Sequence, residues 1–87
     1  MNSDRISAAA RKYLERVKAL PCGVCGQPGP SEAHHIKQGL HFVCIPVCAD
    51  CHRGSFNGWH GQRRMWSIKK LDELAVLSQT IEALTKG

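Results

Sequence analysis

Aromatic residues are scarce in this 87-residue chain: Tyr13, Phe42, Phe56, Trp59 and Trp66 make up 6% of it, which excludes a core built mainly on aromatic packing. Long apolar runs are missing too. Nothing approaches the roughly 18 unbroken apolar residues of a membrane span. The opening stretch MNSDRISAAARKYLERVK carries charges every few positions and lacks the apolar segment of a secretory leader. A cytoplasmic setting without membrane association is therefore expected. Internal repeats and low-complexity tracts are absent from the sequence. The apolar share of 43% is ordinary and argues against disorder. A chain of this length makes one small domain, leaves much of its surface wet, and gains from a metal or disulfides to supplement its core.

Five cysteines, an odd number, fit a pure disulfide framework badly. Four of them form two matched pairs, Cys22-x-x-Cys25 and Cys48-x-x-Cys51, with 22 residues between the pairs. Each pair can bite an ion from a tight turn, and the two turns together give the closed tetrahedral sulfur set of a structural Zn²⁺. In a cytosolic chain this pattern favours zinc over the alternatives, a redox dithiol or disulfide pairs. No coordination position is left open, so this zinc is expected to do no chemistry itself. Cys44 falls outside the pattern and reads as an ordinary buried thiol. The formal charge of +5 drops to about +3 once four thiolates and one Zn²⁺ are counted. A moderately basic protein of this kind suits a polyanionic partner without requiring one.

The elements predicted by pattern make an α+β fold in one compact domain. Residues 1–20 form an N-terminal amphipathic helix, running from about 3 to 19. Ser3 or Asp4 caps it, and Ile6, Ala10, Tyr13, Leu14 and Val17 share one side. Leu20-Pro21 ends it, since a residue before proline is pushed out of the helical region. Residues 21–66 form the zinc-bound core. PCGVCGQPGPSE suits a metal knuckle, strands follow at 32–36 and 41–47 with KQGL as the turn, and a helix runs from Ala49 to about Phe56. Pro46 keeps the second strand short or at an edge. Another helical turn is expected at 60–66. Residues 67–87 form a C-terminal helix, with Leu71, Leu74, Leu77 (or Ser78), Ile81 and Leu84 as its apolar stripe and Glu73, Gln79 and Glu82 outside it.

Five histidines is a high count for this length, and their placement is informative. His34 and His35 are neighbours on the first strand, His41 opens the second, His52 follows the last zinc cysteine on a helix, and His60 lies beyond a glycine-containing turn. Adjacent strand residues point to opposite faces. One of His34 and His35 can therefore face His52 while the other faces elsewhere, unless a bulge or strand end aims both at one place. Hydrolysis of nucleic acid with one metal needs a base to activate water, a cation to stabilise the phosphorane and leaving oxygen, and a scaffold to space them. A strand histidine as base, with a strand and a helix histidine as ligands, meets that need. The plainer readings are that His52 caps the knuckle, that His34 and His35 are a polar strand pair binding phosphate only, and that His41 and His60 are surface histidines. Asn57 could orient a base, but a turn role before Gly58 suits it better.

The combination CGVC…EAHHI…CIPVCADCH resembles the HNH endonuclease motif on a ββα-metal fold, in the subtype with a four-cysteine structural zinc. More narrowly, HHIKQGLHFVCIPVCADCHRGSFNGWHG followed by a leucine-rich helix is similar to the phage recombination enhancement (Ref) nucleases and related small prophage proteins. The similarity covers about residues 21 to 75. It implies that His35 is the general base activating water, and that His34 and His52 hold a catalytic divalent cation such as Mg²⁺. His60 corresponds to a downstream histidine that contacts phosphate or metal. The middle Asn of the motif has no match. Val43 lies near its usual place, so His41 or a backbone carbonyl must orient the base, or activity is impaired. The resemblance further implies a phage- or prophage-encoded protein of DNA recombination or repair in a bacterial cytoplasm, with DNA and a recombinase filament as partners.

Lys37, Arg53, Arg63, Arg64, Lys69 and Lys70 cluster in sequence around and after the histidines, with Trp59 and Trp66 interleaved. In a nuclease this group would grip phosphates near the scissile bond; otherwise it is a solvated charged face over core tryptophans. Nothing resembles a base-reading helix, so low sequence specificity is expected. The leucine stripe packs on the first helix or forms a dimer seam, and both a monomer and a homodimer fit. A non-catalytic zinc-stapled DNA-binding or protein-interaction module is the alternative function, favoured by the missing Asn.

Overall fold

The computed structural model describes residues 6–86. Its first helix, α1 (Ala8–Lys18), starts later than the sequence spacing predicts. The Ser7 hydroxyl caps it by accepting from the Ala10 amide at 3.0 Å. Ser3 and Asp4, the caps expected from sequence, lie outside the described residues. Ala10 and Val17 are the buried positions of α1. Its C-terminal end is closed from outside: the Ser31 amide donates to the Lys18 carbonyl and its hydroxyl to the Leu20 carbonyl, each at 2.7 Å.

Strands β1 (Glu32–His35) and β2 (Cys44–Val47) pair antiparallel, with Glu32 opposite Val47, Ala33 opposite Pro46, His34 opposite Ile45 and His35 opposite Cys44. Both are shorter than the sequence predicts, because residues 37–43 are consumed by successive turns. Leu40 donates to the Lys37 carbonyl and Val43 to the Leu40 carbonyl. Every residue of β2 is buried. Its outer edge is covered by the first cysteine turn, where the Gly23 amide donates to the Pro46 carbonyl at 2.9 Å. Pro46, with no amide to offer, thus sits where only its carbonyl is needed.

Helix α2 (Ala49–Arg53) follows β2 directly, completing a ββα unit, and stops at Gly54 instead of running to Phe56. After a compact loop come α3 (Arg64–Lys69) and α4 (Glu73–Lys86), so the expected turn of helix at 60–66 sits a few residues further on. The fold is α+β, with α1 on both strands and α4 on β2. Val17, Ile45, Val47, Trp66 and Val76 are fully buried, and a core forms around the cysteines. One aromatic does serve as a core plug: Trp66 packs among them and donates its indole N–H to the Cys51 carbonyl at 2.8 Å. No described helix is long and apolar enough to cross a membrane.

Helix α4 is rotated relative to the expected stripe. Its sheltered face carries Glu73, Val76, Leu77, Thr80 and Leu84, a regular helical spacing. Leu74, 68% exposed, and Ile81, 47% exposed, point outward. The inward face therefore begins with a carboxylate.

Candidate metal centres

The first cysteine turn lies along the edge of β2 and the second follows the end of that strand, and the two converge. Cys48 caps α2, its sulfur accepting from the Cys51 amide at 3.4 Å. In the first turn the amides of Val24 and Cys25 donate to the Cys22 sulfur at 3.4 and 3.5 Å. The four sulfurs lie within 4.8 Å of one another, and Cys25 and Cys48 are 3.7 Å apart. Sulfurs around a tetrahedral Zn²⁺ stand about 3.8 Å apart, so the set fits that ion. Ionisation points the same way. Burial opposes charge at Cys22, yet the amides and thiols around it bring it down to about 7. Cys48 and Cys51 are held up, first by burial. Four thiols this close cannot all become thiolates without a cation among them. The cysteine cluster is consistent with a structural Zn²⁺ site.

A second cluster lies on the same ββα unit. His34 from β1, His52 from α2 and His60 from the following loop form a nearly equilateral triangle of rings, with centroids 5.0, 5.1 and 5.2 Å apart. Their ligand atoms lie within 4.8 Å of one another. An ion about 2.0–2.1 Å from one nitrogen of each of three rings, in a tetrahedral array, spaces the centroids by about 5.2 Å. His34 is 5% exposed whereas His60 is exposed, so the triangle opens to solvent on one side. This His triad could form a metal site.

The loop that delivers His60 is built by close backbone approach. Trp59 donates to the Cys51 carbonyl at 2.9 Å and His60 to the His52 carbonyl at 3.2 Å, so the chain returns alongside the end of α2. A Cβ at Gly58 would lie 2.5 Å from the Gly54 nitrogen, and one at Gly61 would collide with the Gly54 carbonyl. Neither position has room for a side chain. This tertiary return places His60 beside His52, eight positions apart in the chain, and sequence spacing alone carries no signal for it.

Carboxylates hold two of the three rings. Nε2 of His34 lies 2.6 Å from Oε2 of Glu73, at the start of α4. Nδ1 of His52 lies 2.8 Å from Oε1 of Glu32, which Arg53 also grips through Nε and Nη2. Arg53, then Glu32's bond to His52, holds that carboxyl down to about 2. Burial lowers His34 below the ordinary imidazole range against the pull of Glu73, keeping the ring neutral, the form that ligates. Glu73 lies outside the apolar stripe that the sequence predicts for this helix, and no sequence pattern gives Glu32 a role.

His35 is not part of the triangle. Its ring turns to His41, with Nε2 3.2 Å from Nδ1 of that residue, as strand alternation requires of a neighbour of His34. Burial, then His41 and His34, lowers it too. Cys44, opposite His35, is a buried thiol donating to the His41 carbonyl at 3.3 Å. Among the basic residues, Arg53 is committed to Glu32. Arg63 stacks 3.7 Å from the Trp59 ring centre and donates to the Trp59 carbonyl, and Arg64 lies over Phe56, so both flank the loop of His60. Lys37 and Lys70 are exposed. Lys69 borders a cavity of about 340 Å³ between the first cysteine turn and α4, lined by Gly23, Val24, Pro46, Thr80 and Ala83 among others. Trp66 belongs to the core. Compared with family models, curated proteins and solved structures, the chain matches none.

Proposed function

We propose that this chain is a metal-dependent endonuclease of the HNH type that hydrolyses DNA phosphodiesters with low sequence specificity. The histidine triangle is the observation that carries the reading. Strand, helix and loop each contribute one imidazole, beside a zinc-type cysteine site that has no position to spare. Three imidazoles suit Zn²⁺, Ni²⁺ or Co²⁺ better than Mg²⁺, which demands oxygen ligands, so a transition metal replaces the Mg²⁺ expected from resemblance. When bound, such a cation acts as a Lewis acid at the phosphoryl and leaving oxygens. His60 joins His34 and His52 as a third ligand in this reading, with one side of the triangle left for substrate.

His35 supplies the base. Donation of its Nε2–H to Nδ1 of His41 leaves Nδ1 of His35 with the lone pair that takes the proton of the attacking water. His41 thereby takes the orienting part for which the motif's Asn is missing. Arg63 and Arg64, fixed by Trp59 and Phe56 next to His60, and Lys37, Lys69 and Lys70 further out, supply phosphate contacts. DNA, with a recombinase filament directing cleavage, is the partner, in a bacterial cytoplasm. A second reading, a zinc-stapled DNA-binding module without catalysis, is favoured by one observation: His35 faces away from the triangle.

The test is plasmid nicking by the purified full chain with Zn²⁺, Ni²⁺, Co²⁺, Mn²⁺ or Mg²⁺, with and without recombinase filaments. We expect nicking by the wild type, and its loss in His35→Ala and His52→Ala. No nicking under any condition, or equal nicking by His35→Ala, overturns the enzyme reading. DNA binding that survives both substitutions but falls with Arg63 and Arg64 replaced would favour the second.

A further inference from the structure

Glu73 is the first residue of α4, an element that otherwise packs against β2 and α1, outside the ββα unit. Its carboxylate nevertheless reaches His34, 39 positions earlier, at 2.6 Å. Both partners are sheltered, with side-chain exposures of 6% and 21%. A leucine would have served packing at least as well at that position of the helix. Among the described residues this histidine nitrogen is the one polar contact of the Glu73 side chain, and no buried polar side-chain atom lacks a partner.

The geometry points to Glu73 as the positioning residue of the histidine centre: it fixes the ring plane and tautomer of His34, so that Nδ1 is the nitrogen offered to a cation. This inference rests on reading the His34–His52–His60 triangle as a cation site. A carboxylate can only accept, so Nε2 of His34 must carry the proton, and the lone pair of the neutral ring is then on Nδ1. Glu32 does the converse for His52. It accepts from Nδ1 and leaves Nε2 free. Two rings are thus locked in opposite tautomers by carboxylates from two different elements, and the partner of a metal-binding imidazole sets both its orientation and its basicity. A free His34 would have to choose its tautomer on binding and would spend affinity on ordering the ring. The consequence reaches beyond the site: α4 is held to the metal centre by this bond, so the helix is part of the scaffold of the centre.

The experiment uses the full chain with Zn²⁺ in the cysteine site, titrated with Co²⁺. The visible d–d absorption of a nitrogen-bound Co²⁺ is followed, which lacks the intense sulfur-to-metal bands of a cysteine-bound ion. Glu73→Ala is expected to weaken this second Co²⁺ by about 10- to 100-fold, the usual cost of removing such a partner. Glu73→Gln, which keeps an acceptor oxygen, recovers most of that loss. In parallel, nitrogen NMR of the protein without the second ion should show His34 as the Nε2–H tautomer in the wild type and a mixture in Glu73→Ala. Equal Co²⁺ affinity in all three proteins overturns the inference. So does a Gln variant as weak as the Ala variant, which would make Glu73 a direct ligand. Should the wild type take up no second Co²⁺, the triangle is no cation site and the reading of function fails; the tautomer measurement then still decides whether Glu73 fixes His34.

Discussion

Gly23 sits where the first cysteine turn passes between β2 and α4. Its amide is bonded to the Pro46 carbonyl, and a Cβ built on it would lie 2.5 Å from Cγ1 of the fully buried Val76. Real contacts of that kind do not occur, so either the turn or the helix must move. Gly23→Ala is expected to cost about 1–3 kcal/mol, the range for overpacking a filled core, read as a lowered melting temperature of the zinc-loaded protein. Because the obstruction is one methyl group, Val76→Ala in the same chain should recover part of the loss, a departure from additivity. A Gly23→Ala protein that melts with the wild type would contradict the close approach. Cys44 allows a second prediction at this scale. Burial pushes its thiol above the ordinary range, so the unfolded chain gives up this proton first, from about pH 8.5 upward. The stability tied to Cys44 is complete below that pH and declines as pH rises toward the folded-state value. Tyr13, raised by burial and then by Cys44, adds to the decline at higher pH. Melting of the zinc-loaded protein from about pH 7.5 to about pH 10 should fall more steeply for the wild type than for Cys44→Ala; parallel slopes would contradict it.

Among the elements, α4 separates what periodicity reveals from what tertiary structure decides. Of the expected stripe, Leu77 and Leu84 lie on the sheltered face while Leu74 and Ile81 are exposed, so counting leucines rotates the stripe away from the observed one. The observed phase buries Val76 and Thr80 and turns Glu73 inward, because Glu73 finds a partner in His34 that no local pattern can show. Leu74→Gln should therefore change stability by no more than about 0.5 kcal/mol, while Val76→Ala should cost about 2 kcal/mol, both by urea denaturation at fixed zinc. The opposite order would restore the phase expected from sequence. Elsewhere the sequence was more forthcoming. The matched Cys-x-x-Cys pairs announced the cysteine site, and the turn residues KQGL with a helix start at Ala49 announced the order hairpin, then helix, although that helix ends at Gly54 and not near Phe56. Strand alternation and helix placement left open which of His34 and His35 faces His52, and only the resemblance to the HNH motif selected His34. His60 was legible only as a candidate, because its position depends on backbone crossings at Gly58 and Gly61. The separation of His35 from the triangle follows from the alternation of strand residues.

At the scale of the whole molecule, the cysteine and histidine clusters are arranged in a hierarchy. Cys48 follows β2 and caps α2, and α2 carries both Cys51 and His52. The carbonyl of Cys51 receives both Trp59 and the buried indole of Trp66. The cysteine site thus fixes α2, α2 fixes the returning loop, and the loop fixes His60. The histidine triangle is open to solvent at His60 and is tied to α4 through the bond of His34 to Glu73, so its part in the scaffold is the smaller one. Structural Zn²⁺ sites of this kind contribute about 10–16 kcal/mol in small domains, comparable to the whole stability of an ordinary protein. Cys48→Ser, or chelation of the wild type, should therefore abolish cooperative thermal unfolding and remove all Co²⁺ binding at the histidines. His52→Ala should still hold one zinc per chain by elemental analysis, with a far-ultraviolet circular dichroism spectrum like that of the wild type. A Cys48→Ser chain that stayed folded and still bound Co²⁺ through histidine would reverse the order of dependence. So would a His52→Ala chain that released its zinc. The asymmetry between the two substitutions measures which cluster builds the molecule and which is built by it.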